Sequence, residues 1–229
     1  MEKNDYKNEL LKKYVTKVSS GDKDKQELLY KIGSLYLDDQ KFLFEIYRAL
    51  RYGKTSKSDA LTQVYFKEKD EEYFLGLNEK EISFDKKTLI GVIAGFLDLL
   101  EDMLPLGTVV DIRKDIYRDS EKSTGVHVDD FDDFRMVITH RFLGSNGKMY
   151  YPYAGVAYPT GMLDSKEVFY FTRPMVDEIV QLGFQDEKEL QFQFLMKNEL
   201  IIENGMRTAG YAETDDVLEL NREIKSKVL

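Results

Sequence analysis

Apolar residues recur at helical spacing along the first 104 residues of the chain. The spacing i, i+1, i+4, i+8 occurs at Leu10, Leu11, Tyr14 and Val18, and closely related spacing occurs in residues 28–36. This period places the apolar side chains on one face of a helix, so two amphipathic helices are predicted. Residues 86–103 carry apolar side chains around most of the helical circumference, behind a candidate N-cap at Asp85. A helix of that kind is usually buried by its neighbours.

A shorter helix is predicted between these regions. Leu61, Val64 and Tyr65 fit one helical face, with Ser58 or Asp59 as a candidate cap of its first turn. Residues 1–104 contain no proline. Because proline disrupts helix interiors, its absence favours the interpretation of this whole part as helical.

The hydrophobic period changes from 3.6 to 2 after residue 104, and all four prolines lie in residues 105–174. The alternation predicts four strands, at residues 108–112, 135–142, 149–158 and 166–171. The Asn146-Gly147 pair between the second and third strands is a strong hairpin signal. Further along, Pro174 near a first helical position predicts a helix over residues 175–182, which Gly183 would end.

These patterns together predict an α+β protein. A helical N-terminal half would pack with a small antiparallel sheet of about four strands, followed by C-terminal helices. The expected division is a helical region at 1–104, an α+β domain at 105–205 and a tail or short helix at 206–229. Within the domain, Asp186 would cap a helix that runs to about residue 203.

The composition excludes many kinds of chemistry. The 229 residues include no Cys and two His, which excludes disulfides, iron–sulfur clusters and thiolate zinc sites. The net charge of −9 opposes general nucleic-acid binding, because such proteins need a basic surface. The sequence contains no phosphate-loop, dinucleotide-binding, serine-hydrolase or zinc-protease motif, so no cofactor or metal is expected.

Neither end of the chain resembles a targeting signal. The N-terminus is charged and lacks the apolar core of a signal peptide. The longest apolar run, residues 89–100, covers about 12 positions and includes Asp98, whereas a membrane helix needs ~20. We therefore expect a cytoplasmic protein without membrane insertion.

The negative charge is concentrated in the second part of the chain. Residues 1–104 hold 18 basic and 20 acidic side chains, a balance of −2, and residues 105–229 hold 15 and 22, a balance of −7. The densest acidic cluster consists of Asp129, Asp130, Asp132 and Asp133. Its spacing lacks the alternating ligands, central Gly and final Glu of an EF-hand, so a solvated loop is favoured over a cation site. In a binding protein these carboxylates are candidate partner contacts.

A strand rich in tyrosine is the second candidate contact surface. It contains Tyr150, Tyr151 and Tyr153 and ends at Tyr158. Alternation predicts Tyr151 and Tyr153 on one face and Tyr150 on the other, with one face in the core. Because Tyr is enriched at protein interfaces, the exposed members are candidate partner contacts, with plain packing as the alternative. No stripe of Lys or Arg accompanies them, which opposes stacking on nucleic-acid bases.

The two histidines give little support for catalysis. His127 precedes the acidic cluster and His140 lies in a predicted strand, and no regular ligand spacing relates them. We therefore predict that the protein is not an enzyme. A metal-dependent enzyme that uses His127 with the acidic cluster of residues 129–133 stays open as an alternative.

Three segments of the second part occur in an order and spacing that resembles a known family. They are LPLGTVV at residues 104–110, YAGVAYPTG at residues 153–161 and IVQLGFQDE at residues 179–187. The family is a domain of unknown function of small bacterial proteins, typically encoded in Gram-positive type VII secretion clusters beside toxins with an LXG export domain. The similarity covers about residues 105–190. In physical terms the motif glycines have scaffold roles, since Gly155 permits a bulge or a close backbone approach.

The resemblance implies an accessory factor for secretion. The expected function is that of a cytoplasmic chaperone or targeting adaptor, which binds an LXG-type toxin or its toxin domain and in addition contacts the secretion apparatus. Its mode would be protein–protein interaction without catalysis. Two alternatives stay open from the sequence: an immunity protein that neutralises a cognate toxin, and the carboxylate-based enzyme described above.

Overall fold

The computed structural model describes residues 3–53, 56–113, 134–143, 147–162, 168–212 and 216–222. The chain forms two compact units. The first comprises Met1–Asp102 together with Phe194–Gly205, and the second comprises Met103–Gln193 together with Met206–Leu229. No pattern in the sequence indicates that Phe194–Gly205 belongs with the first unit.

The first unit begins with three helices, α1 (Lys3–Val18), α2 (Lys23–Ser34) and α3 (Lys41–Tyr52). The apolar stripes predicted from the sequence are buried, with Leu11 and Leu29 fully inaccessible to solvent. Asp22 accepts a hydrogen bond from the Lys25 amide and so caps α2. Helical spacing therefore predicts α1 and α2 correctly.

A four-stranded antiparallel sheet follows, where the sequence predicted only helix. Its strands are β1 (Ser56–Asp59), β2 (Val64–Lys69), β3 (Glu72–Leu77) and β4 (Lys80–Phe84), in the order β1-β2-β3-β4. The predicted helix around residues 58–65 is wrong, and so is a purely helical region at 1–104. Val64 and Phe66 are buried on either side of the half-buried Tyr65, which is the period of a strand. Asp59 caps a turn, accepting from the Leu61 amide.

The buried helix α4 (Lys86–Leu100) lies at the centre of the first unit. Asp85 accepts from the Thr88 amide and caps it, which confirms the predicted N-cap. Gly95 lies where a Cβ would be 2.0 Å from the Tyr14 hydroxyl, and that hydroxyl donates to the Gly91 carbonyl. The missing side chain thus allows α1 to approach α4 closely.

The second unit is built on a six-stranded sheet. Its strands are β5 (Val109–Ile112), β6 (Arg135–Leu143), β7 (Met149–Ala157), β8 (Phe169–Phe171), β9 (Val176–Gln181) and β10 (Arg207–Thr208). Their order is β10-β7-β6-β5-β9, with β8 also paired to β7. The mixed α+β class predicted from the sequence is confirmed, as are strands at 109–112, 135–143 and 149–157.

The predicted helix over residues 175–182 is wrong, because this segment is the strand β9. Val176, Ile179 and Val180 are spaced i, i+3, i+4, which suits one helical face. All three are β-branched, however, and such residues favour strands. Pro174 lies in a single 3₁₀ turn that precedes the strand.

The core of the second unit lies against β5, β6 and β7. Tyr153 is buried there, and its hydroxyl accepts a hydrogen bond from the Leu104 amide at 3.1 Å. Gly155 stands opposite Ile138, next to a bulge in β6, and a Cβ on it would lie 2.3 Å from the Val137 carbonyl oxygen. The close backbone approach predicted at this glycine is confirmed.

Helical segments occur in the last part of the chain that the structure describes. Helix α5 (Glu187–Lys197) starts at Asp186, which accepts from the Glu189 amide as predicted, and a π-helical turn (Asn198–Glu203) continues it. After β10, residues 216–222 form one more helix. Leu220 of that helix is fully buried.

Candidate protein-binding surface

The edge strand β9 carries a run of exposed residues. It pairs with β5 along one side, where Val110 lies opposite Ile179 and Ile112 lies opposite Val176. Its other side has no partner strand in the described part of the sheet. Apart from Val176, every residue of β9 is exposed. A partner protein can therefore reach this strand.

Two bulges and two carboxylates modify the free edge of β9. The register with β5 leaves Asp177 and Val180 as extra residues, without an opposite residue of their own. Asp177 and Glu178 are both exposed. Bulges and charges at a sheet edge discourage continuous pairing with another strand. The edge therefore offers its side chains to a partner more readily than its backbone.

The chain that follows β9 is fixed by close backbone contacts. The buried Thr108 hydroxyl donates to the Pro105 carbonyl at 2.7 Å and accepts from the Gly183 amide at 3.0 Å. A Cβ at Gly183 would lie 2.2 Å from the Leu106 carbonyl oxygen, so glycine is required for this approach. The residues on both sides of Gly183 are consequently held beside Leu106.

Five apolar side chains on or next to β9 are exposed, and we call them the β9 patch. They are Leu106 (49%), Ile179 (37%), Val180 (43%), Leu182 (53%) and Phe184 (81%). The exposed carboxylates Asp177 and Glu178 precede the last four of these residues, and Asp186 and Glu187 follow them. Grouped exposed apolar side chains with a polar rim are typical of protein-binding sites. The anionic rim would suit a basic partner.

The structure places three of the four tyrosines predicted as partner contacts inside the protein. Tyr150, Tyr151 and Tyr153 are exposed by 7% or less, so they serve packing. The reason is that β7 is an inner strand of the sheet, and side chains cover it on both faces. Only Tyr158, at the turn that follows β7, is exposed among the four.

Tyr151 and Tyr153 pack in different apolar clusters. Tyr153 packs in the main core of the second unit, whereas Tyr151 belongs to a separate cluster with Leu220. On the paired strand, Phe142 has a left-handed φ of +56° between the residues that face Tyr151 and Tyr153. The regular backbone of β6 is interrupted at Phe142, whereas the pairing keeps a two-residue step between Tyr151 and Tyr153 of β7.

Of the other candidate residues, only His140 lies in the part of the chain that the structure describes. Asp129, Asp130, Asp132, Asp133 and His127 lie outside the described residues. His140 is exposed, and its Nδ1 lies 2.9 Å from the neighbouring Thr139 hydroxyl.

The second unit contains a buried ion pair that the sequence patterns do not predict. The Arg141 guanidinium forms a two-pronged pair with the Glu189 carboxylate, and its Nη2 lies 3.0 Å from Oε2. Gln193 donates to the same carboxylate and to the Met103 carbonyl. Paired in this way, the guanidinium and carboxylate attach α5 to β6. Their 48-residue separation gives no local signal in the sequence.

Two further findings concern the described residues alone. No group of three or more His, Asp or Glu side chains there has a metal-binding arrangement. None of the helices in the described ranges has the length and apolar character that crossing a membrane requires.

Comparison with known proteins found a family model that matches the segment with most of the β9 patch. Residues 124–192 match the model of a family described as a domain of unknown function, DUF4176. The match covers under a third of the chain and runs through β6, β7, β8 and β9 into α5. No curated protein and no solved structure matches the chain. Within the DUF4176 segment lie Ile179, Val180, Leu182 and Phe184, and Leu106 lies outside it.

Proposed function

We propose that the protein binds another protein through the β9 patch and has no catalytic activity of its own. The observation that carries the proposal is the set of exposed apolar side chains held beside Leu106 by the Gly183 contacts. A backbone that is already fixed loses less entropy on binding, and Phe and Leu bury a large apolar area. Phe184, with 81% of its surface exposed, is the proposed central anchor.

The proposed partner is an LXG-type toxin exported by a type VII secretion system, with this protein as its cytoplasmic chaperone or targeting adaptor. The motif resemblance at residues 104–110, 153–161 and 179–187 supports this choice, because the last motif contains the β9 patch residues from 179 to 184. The carboxylates at 177, 178, 186 and 187 would favour a client segment with apolar residues flanked by Lys or Arg.

Replacing Leu182 and Phe184 together by serine is expected to reduce capture of the toxin at least tenfold. Both side chains are exposed, so the change should remove binding area without unfolding the protein. The measurement is co-purification of the neighbouring LXG toxin with the tagged protein after co-expression. The matched control is Leu61→Ser, which alters an apolar side chain that is 95% exposed in the first unit.

Two results would contradict the proposal. One is the absence of toxin in the eluate with the wild-type protein, and the other is equal capture by wild type and double variant. A deletion strain then separates a chaperone from an immunity protein. Loss of a chaperone abolishes toxin export, whereas loss of an immunity protein leaves export intact and makes the toxin-producing cell sensitive.

A further inference from the structure

A second apolar surface lies on the sheet of the second unit, around the start of β7. Met149 and Tyr151 of β7 form it with Tyr170 of β8 and with Ala209. The rings of Tyr151 and Tyr170 lie 5.4 Å apart. We call these four residues the Tyr151 groove.

The chain's own C-terminal helix, residues 216–222, occupies the Tyr151 groove. Leu220 is fully buried in it, and Val217, three residues earlier, packs against the same cluster. The Tyr151 hydroxyl donates to the Asn221 side-chain oxygen at 2.8 Å. The groove thus accommodates one face of an amphipathic helix, with apolar side chains at i and i+3 and a hydrogen-bond acceptor at i+4.

The chain just before the helix is held much more firmly. β10 pairs with β7, and the Arg207 amide donates to the Lys148 carbonyl at 3.0 Å. Tyr211 is buried, and a Cβ on Gly210 would lie 3.1 Å from the Thr172 Cβ. The segment up to residue 212 is therefore part of the sheet structure, so release of the helix would leave it in place.

The helix itself has few attachments. Among its described residues Leu220 is the only one that is buried, and Asp216, Leu218 and Glu219 are exposed. Helices of this length are not stable alone in water, so the helical conformation depends on docking. The helix would unfold when it leaves the groove.

We propose that the C-terminal helix is a removable strap over the Tyr151 groove, and that an amphipathic helix of a partner protein takes its place. The partner helix presents two apolar side chains three residues apart, followed by an amide or carboxylate that accepts from the Tyr151 hydroxyl. The surface is separate from the β9 patch, so the two proposals stand or fall independently.

A competition experiment tests the strap with the full-length protein. The probe is a fluorescently labelled peptide with the sequence of residues 214–229, which stands in for the partner helix. In the Leu220→Asp protein the chain's own helix is disfavoured, and the peptide is expected to bind at least tenfold more tightly than to wild type. The Leu218→Asp protein, changed on the exposed side of the helix, should bind the peptide as wild type does.

Specificity and folding are checked in the same series. A peptide that carries Leu220→Asp should not bind, and circular dichroism shows whether the variant protein is folded. If the Leu220→Asp protein is not folded, the Asn221→Ala protein is used instead. This change removes only the side-chain acceptor for the Tyr151 hydroxyl, so the expected gain in peptide affinity is smaller, about threefold. If the peptide binds equally to wild type and to the folded helix variant, the proposal is overturned, and equal binding of the two peptides overturns it as well.

Hydrogen exchange on the wild-type protein gives a test without substitution. Amides of residues 216–222 should exchange at least 100-fold faster than those of β7 and β10, because the helix opens without the sheet. Exchange as slow as that of β7 would show that the helix is an integral part of the sheet structure and would overturn the proposal.

Discussion

Gly155→Ala is expected to destabilise the second unit by about 3 kcal/mol, toward the upper end of what overpacking costs. The added Cβ would lie 2.3 Å from the Val137 carbonyl oxygen and 3.0 Å from its carbonyl carbon. These are backbone atoms of the paired strand β6, so relief requires the two strands to separate next to the bulge after Ile138. Thermal unfolding followed by circular dichroism should show a midpoint lower by roughly 6–12 °C.

The control for Gly155→Ala is Val156→Thr, at the next position along β7. Val156 is half-buried, and threonine keeps its shape and its preference for strands. We expect this variant to unfold within a few degrees of wild type. If Gly155→Ala also unfolds within 2 °C of wild type, β6 can move away without cost and the steric argument is wrong.

Gly155 illustrates what local sequence patterns can predict. A glycine inside a strand pattern has few structural explanations, and close backbone approach is one of them. Capping residues behave similarly, because Asp22, Asp85 and Asp186 act on amides only three residues away. Features that depend on short-range geometry were therefore predicted correctly.

The β2–β3 hairpin of the first unit lacks such a local signal. The turn between β2 and β3 consists of Asp70 and Glu71, both with positive φ, although neither is the Gly or Asn typical of that conformation. Without a turn signal, Leu61, Val64 and Tyr65 also satisfy helical spacing. Pairing with β1 and β3 makes the segment from Val64 onward a strand, and such pairing is a tertiary property that local spacing does not reveal.

The β9 patch was hidden in the sequence for a related reason. Ile179, Val180 and Leu182 lie in the segment that the sequence predicts as a helix, and a helix there would bury its apolar face. The enrichment of β-branched residues in 176–180 was the available signal for a strand. The buried state of Tyr150 and Tyr151 depends on the neighbours of β7 and on the docked C-terminal helix, which strand alternation does not reveal.

Lys197 gives the first unit an unusual buried amine. Its side chain reaches the end of α4, where Nζ donates to the Leu99 carbonyl at 2.9 Å and also to the Glu101 carbonyl. Leu99 lies in the last turn of α4, where a carbonyl has no amide of the same helix to accept from, so the contact with Lys197 satisfies it. Only 5% of the residue is exposed, and the ammonium therefore loses most of its hydration.

Burial lowers the pKa of Lys197 to about 8. The charges around it partly cancel, since Glu101, Asp102 and Asp98 raise the pKa and Lys7 lowers it further. In the unfolded chain the pKa is about 10.4. Between the two values the unfolded state binds more protons than the folded state, so stability rises with pH there. At neutral pH the buried charge costs about 3 kcal/mol by the same relation.

We therefore expect Lys197 to make the first unit more stable at pH 9 than at pH 7, by about 1 kcal/mol. A neutral amine retains two N–H donors, enough for both carbonyls, so the contact survives deprotonation. Urea unfolding at several pH values measures the slope. Lys197→Met should lack this rise, whereas Lys188→Met, at an exposed position of the same helix, should keep it. Identical slopes in wild type and Lys197→Met would show that the buried amine is already neutral at pH 7 or keeps an ordinary pKa.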